Sequence, residues 1–141
     1  MSETKKINLT IHSHIDNGEG EGEINDSSYS AIMKTAKDEI GLSYEECGEG
    51  GKMFCDILIR GGRVTVSRRG ALRSVLVFEE GKSYSSIYEI PPYKFDMNVT
   101  TKRMKCAIDK CGGIIDILYE MNLGGATKRA RMKITVSEES V

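Results

Sequence analysis

The chain contains only two histidines, His12 and His14, and they stand just ahead of Asp16, Glu19, Glu21 and Glu23 in the run IHSHIDNGEGEGE. Imidazoles two residues apart on a strand share one face, and a carboxylate from the following loop would complete a donor set for a transition-metal ion. The same face carries Asn8 and Thr10, however, while Ile7, Leu9 and Ile11 alternate onto the other. A strand with one wet side reads this way, so we expect no metal site, with both histidines outside the core and the acids in a loop. The glycines two apart in GEGEGE fit neither a phosphate-binding loop nor a dinucleotide fingerprint, and the carboxylates between them repel phosphate.

Nucleophilic catalysis requires a base beside a serine or cysteine, and the two histidines are expected to point into water. The pairs Glu45–Glu46 and Glu79–Glu80 are adjacent in sequence, so on strands their members face opposite ways and do not converge. Neither pattern supports an enzyme, and no cofactor is implied. Cys47, Cys55, Cys106 and Cys111 are expected as free thiols, because their spacing departs from the short ligand pairs of structural zinc sites and the N-terminal residues lack a signal peptide's apolar core. Arg68 and Arg69 carry more information. Neighbouring arginines at a strand end put one guanidinium on each side of the sheet, and an inward one needs a carboxylate from Glu45, Glu46 or Glu89. The alternative role for that arginine is to hold an anionic head group, with Met33, Met53, Met97, Met104 and Tyr88 as an adaptable apolar wall.

The elements that must position these side chains are strands. Apolar residues alternate over short runs separated by turns at Gly61–Gly62, Glu80–Lys82, Pro91–Tyr93, Lys110–Gly113 and Gly124–Gly125. Nine or ten strands result. In the segment from Ser28 to Ile40 the spacing of Ile32, Met33, Ala36 and Ile40 also suits a helix, but the extended runs on both sides favour a strand. In the last run Ala126, Ala130, Met132, Ile134 and Val136 face one way, and Thr127, Arg129, Arg131, Lys133 and Thr135 the other. Between Val99 and Met104 the alternation changes phase, which predicts a bulge near Thr100–Lys102. So many consecutive antiparallel strands must close to hide their edges, so the expected fold is all-β: a single antiparallel meander β-barrel of about 8–10 strands, one domain over residues 1–141.

The stretch VTVSRRGALRSVLVFEEGKSYSSIYEIPPYKFDMNVTTKRMK resembles the YwiB-like family of small bacterial proteins of unknown function. The likeness is carried by the Arg68–Gly70 turn, Phe78 with Gly81, Tyr88 before the turn at Pro92, and Thr100 and Thr101. Tyr44, Glu45 and Glu46 resemble that family's aromatic and acidic strand end. The resemblance implies a lipocalin-like (calycin-like) barrel and supplies no activity.

Charge is unevenly distributed although the formal net charge is −1. Ten acids against two bases lie between His12 and Gly50, and eleven bases against five acids between Arg60 and Lys110. Cross-strand pairing of the two sets is the plainer reading, and a basic surface the alternative. The Arg129, Arg131 and Lys133 face lacks the interleaved aromatics of a base-stacking platform, so nucleic acid is not expected as a partner. No apolar run suits a membrane span, so a cytoplasmic protein is expected. The expected function is non-enzymatic binding of a small, partly apolar or anionic ligand, with Arg68, Arg69, Tyr88, Tyr44 and Glu46 as the site. The alternative is a protein–protein interaction module acting through its charged outer surface as a homodimer.

Overall fold

A computed structural model describes residues 3–16, 22–48 and 50–138. Ten strands follow one another: β1 (Glu3–Asp16), β2 (Gly22–Ala36), β3 (Glu39–Gly48), β4 (Gly51–Arg60), β5 (Arg63–Gly70), β6 (Arg73–Glu79), β7 (Ser83–Ile90), β8 (Tyr93–Asp109), β9 (Gly112–Leu123) and β10 (Ala126–Glu138). Each is antiparallel to its neighbour in sequence, and β10 returns to β1 from Ile7 opposite Glu138 to Asp16 opposite Arg129, closing the barrel. The segment with helical spacing is strand: β2 continues to Ala36 and turns at Lys37–Asp38 into β3. Among the described residues no helix is long and apolar enough to cross a membrane. The acids Glu19, Glu21 and Glu49 lie outside the described residues.

Alternation decides which side chains enter the barrel, and glycine lets the chain turn sharply between strands. Gly61 and Gly62 both have positive φ, 56° and 76°, as a two-residue hairpin turn requires. Gly113 lets β8 and β9 approach closely, since a Cβ there would run into the Ala107 carbonyl oxygen. The expected phase change is a break in register between Thr101 and Arg103, opposite Tyr119 and Leu118 of β9. It turns Val99 and Thr101 inward on one side of the break and leaves Met104 only half-buried on the other.

Two ladders are incomplete. β2 and β3 pair only from Ile32 with Ser43 to Ala36 with Glu39, and β6 meets β7 only at Arg73 with Glu89 and Ser74 with Tyr88. Both lapses shape the interior. Where β2 and β3 part, the rings of Tyr29 and Tyr44 lie 4.6 Å apart and fill the wedge. At one end of the barrel Ile7, Leu9, Met33, Leu42, Phe78 and Ile115 are fully buried. Along β1 burial declines from Ile7 and Leu9 to the half-buried Ile11, Ser13 and Ile15, so the opposite end is looser.

Candidate binding site at the open end of the barrel

The looser end encloses a cavity of about 450 Å³. Its floor is Ile57, Val66 and Ile134; its wall is Tyr44, Leu76, Tyr88, Met97, Tyr119, Met121 and Met132; Ile15, Leu123 and Lys128 stand around the mouth. A ten-stranded barrel is wider than the eight-stranded kind that side chains just fill, which accounts physically for the space. The volume falls within the range of small-molecule sites, and the lining has their character, apolar with a few polar groups.

Val64 and Val66 point inward on β5, so Arg68 does too and Arg69 cannot. Arg68 Nη2 donates to both carboxylate oxygens of Glu46, at 2.9 and 3.2 Å, and the Tyr29 hydroxyl donates to Glu46 Oε1 at 3.1 Å. Glu46 is thus held by two donors from different strands across the β2–β3 wedge. Burial alone would weaken the Arg68 proton affinity, but the Glu46 charge, with Tyr44 and Cys55 adding to it, raises it above the usual arginine value, so Arg68 stays charged. Burial likewise pushes the Tyr44, Tyr119 and Cys55 acidities to higher pH, with Glu46 adding to the shift for Tyr44 and Cys55. These groups are neutral hydrogen-bonding and packing surfaces at neutral pH, without thiolate or phenolate character.

Of the five residues expected at a site, Arg68, Tyr44 and Tyr88 line the cavity and Glu46 anchors Arg68. Arg69 lies apart from them on the outer face, over the Phe54 ring at 5.8 Å and 3.9 Å from Asp56. Of the expected methionine wall only Met97 lines the cavity; Met33 is fully buried in the packed end, and Met121 and Met132 take the wall positions instead. Lys128 was missed. It stands at an inward position of β10, between Ala126 and Ala130, and the signal for it was a lysine interrupting the apolar face of the most regular strand.

Other expected groups sit outside. His12 Nδ1 pairs with Asp26 on the outer face, and among the described residues no group of three or more metal-binding side chains gathers. The four thiols are unpaired, Cys55 buried and the other three exposed, Cys106 included although β8 places it in a strand. On the outer surface Arg131 forms two bonds with Asp116, at 3.0 and 2.7 Å, and Arg129 lies 3.7 Å from Glu120, so the basic face of β10 is partly neutralised by β9. At the mouth, β8 pairs with β9 only from Met97 onward, which leaves Tyr93–Asp96 joined to β7 alone. Tyr93 and Phe95 continue the inward parity of Met97 past the rim, stacked at 6.5 Å and exposed.

The fold and this site define a class: small closed antiparallel barrels with one filled end and one hollow end lined by apolar residues and a few polar groups. The chain belongs to the family described as "Domain of unknown function (DUF1934)", which matches residues 9–136. It is 26% identical over 124 residues to the "Uncharacterized beta-barrel protein YwiB" of Bacillus subtilis (strain 168), covering 88% of this chain and 87% of that one. The crystal structure of ywiB protein from Bacillus subtilis is similar throughout, with a TM-score of 0.88 at 25% identity over 97% of this chain and 94% of that chain.

Proposed function

We propose that the protein is a non-enzymatic binding barrel whose small, partly apolar ligand occupies the open end, against Tyr44, Tyr88 and the Arg68–Glu46 pair. The observation that carries this reading is the asymmetry of the lumen: the same alternating strands that fill one end leave about 450 Å³ at the other. Burial of an apolar ligand surface there is favourable at about 25 cal/mol per Å² removed from water, before the costs of association. Unbridged thiols fit work in the cytoplasm, and a closed antiparallel barrel fits the calycin-like shape that the family resemblance implies.

The reading is tested by titrating the full chain with 1-anilinonaphthalene-8-sulfonate, an aromatic organic anion. Saturable binding at one site is expected, and Ser74→Phe, which projects a ring into the cavity, should abolish it while circular dichroism shows the barrel intact. Absence of saturable binding, or binding unchanged by Ser74→Phe, would overturn it. A second reading, a homodimer or other protein contact, is favoured by the exposed Ile87, Ile90, Tyr93 and Phe95 of the β7–β8 hairpin. A dimer in sedimentation equilibrium that is lost on Tyr93→Ser with Phe95→Ser would support it.

A further inference from the structure

We infer that the ligand is an amphipathic anion that enters the cavity tail first and leaves its charged head at the mouth beside Lys128; this rests on the binding-barrel reading above. Two charged residues line the cavity, Arg68 and Lys128. They differ in what already meets them. Arg68 is bonded to both oxygens of Glu46, so its charge is already met within the cavity wall and an anion arriving there must displace a carboxylate. Lys128 takes part in none of the ion pairs formed among the described residues, which elsewhere on β9 and β10 join Arg129 to Glu120 and Arg131 to Asp116. The cation left to a ligand is therefore the one at the rim.

The distribution of apolar surface agrees. The floor residues Ile57 and Ile134 are almost completely buried and offer no donor to an oxyanion, and Met132 continues that surface. A carboxylate or sulfonate placed on this floor would lose its hydration without a partner, whereas a hydrocarbon tail loses nothing there. Lys128 lines the cavity and is exposed; a lysine can cover apolar surface with its stem while its ammonium stays in water, where it meets a hydrated head group at little desolvation cost. Tail-first insertion places each half of such a molecule where its solvation is cheapest to replace.

The test uses decanoate and 1-decanol, which share a tail and differ in the charge of the head. Calorimetric titration of the full chain should show decanoate binding about fivefold more tightly than decanol, the size of one exposed charge pair. Lys128→Met should remove that preference, so that decanoate and decanol bind the variant with equal affinity. In spectra of isoleucine-methyl-labelled protein, the terminal methyl of decanoate should show nuclear Overhauser contacts with Ile57 and Ile134. Equal affinities in the wild type, a preference that survives Lys128→Met, or contacts from the carboxylate end to those two methyls would overturn the inference. If 1-anilinonaphthalene-8-sulfonate binds saturably and neither decyl probe does, tail-first insertion fails while the binding barrel stands. If none of the three binds, both fail.

Discussion

The two ends of the barrel are made by the same ten strands with the same alternation, yet one is solid and the other hollow. At the solid end the inward positions hold Ile7, Leu9, Met33, Leu42 and Phe78, all at 0% exposure. At the hollow end the inward positions of the same strands hold Ser13, Tyr44, Arg68, Ser74 and Lys128. Alternation therefore settles which side faces in, and the size and polarity of each inward residue settle whether that stretch of lumen fills. The incomplete ladders fit this division, because the wedge between β2 and β3 is plugged by Tyr29, Tyr44 and Glu46 instead of backbone hydrogen bonds.

The sharpest way to break the comparison is to open the solid end. Phe78 is fully buried there, edge-on to Tyr119 with ring centroids 4.9 Å apart. Phe78→Ala should cost about 3–5 kcal/mol, from lost burial plus a cavity that the surrounding strands cannot collapse. Met132→Ala, at the wall of a space that already exists, should cost less than half as much. Urea midpoints for the two variants measure this, and equal losses would mean that the two ends are equally packed.

The next effect separates the two arginines. Arg68→Met strands Glu46 in a half-buried site with only the Tyr29 hydroxyl as donor. Loss of one partner from a fully buried pair costs roughly 3–5 kcal/mol, but the Arg68 side chain is 36% exposed, so solvent reduces the expected loss to about 1–2 kcal/mol. Arg69→Met, which removes only an outer contact 3.9 Å from Asp56 and a ring contact with Phe54, should stay within about 0.5 kcal/mol. Equal shifts in the urea midpoint would show that the inward arginine has no special place in the fold.

These contrasts also mark what was legible in the sequence. The barrel was, because each strand writes its own alternation and most turns their own glycines, and the bulge announced itself as a change of phase before Met104. That Arg68 faces inward follows from Val64 and Val66, four and two residues earlier on the same strand. Its partner could not be selected from Glu45, Glu46 and Glu89, because that choice depends on the stagger of three strands: Tyr44 lies opposite Cys55, and Cys55 opposite Arg68. Lys128 was written in the sequence, between Ala126 and Ala130, but the alternation of that strand was read without it, since a lysine faces a lumen only if the lumen is open, and openness is a property of the closed barrel as a whole.

The smallest expected effect tests how strictly the solid end is solid. Thr101 sits at the bulge with 0% exposure, and its hydroxyl has no hydrogen-bond partner. Its backbone is fully engaged across the β6–β7 turn: its N–H donates to the Lys82 carbonyl at 3.0 Å, and its own carbonyl accepts from Gly81 N–H at 2.9 Å. The side chain can thus be changed without disturbing the turn. A buried hydroxyl without a partner carries a desolvation penalty, and valine keeps the shape and the strand preference of threonine while removing the polar atom. Thr101→Val should therefore stabilise the protein by up to about 1 kcal/mol. At the hollow end the equivalent test is Ser13→Ala, where the hydroxyl already faces the cavity and its removal should change stability by less than about 0.5 kcal/mol. A destabilising Thr101→Val would mean that water reaches the bulge, and the contrast between a dry end and a wet one would have to be redrawn at that position.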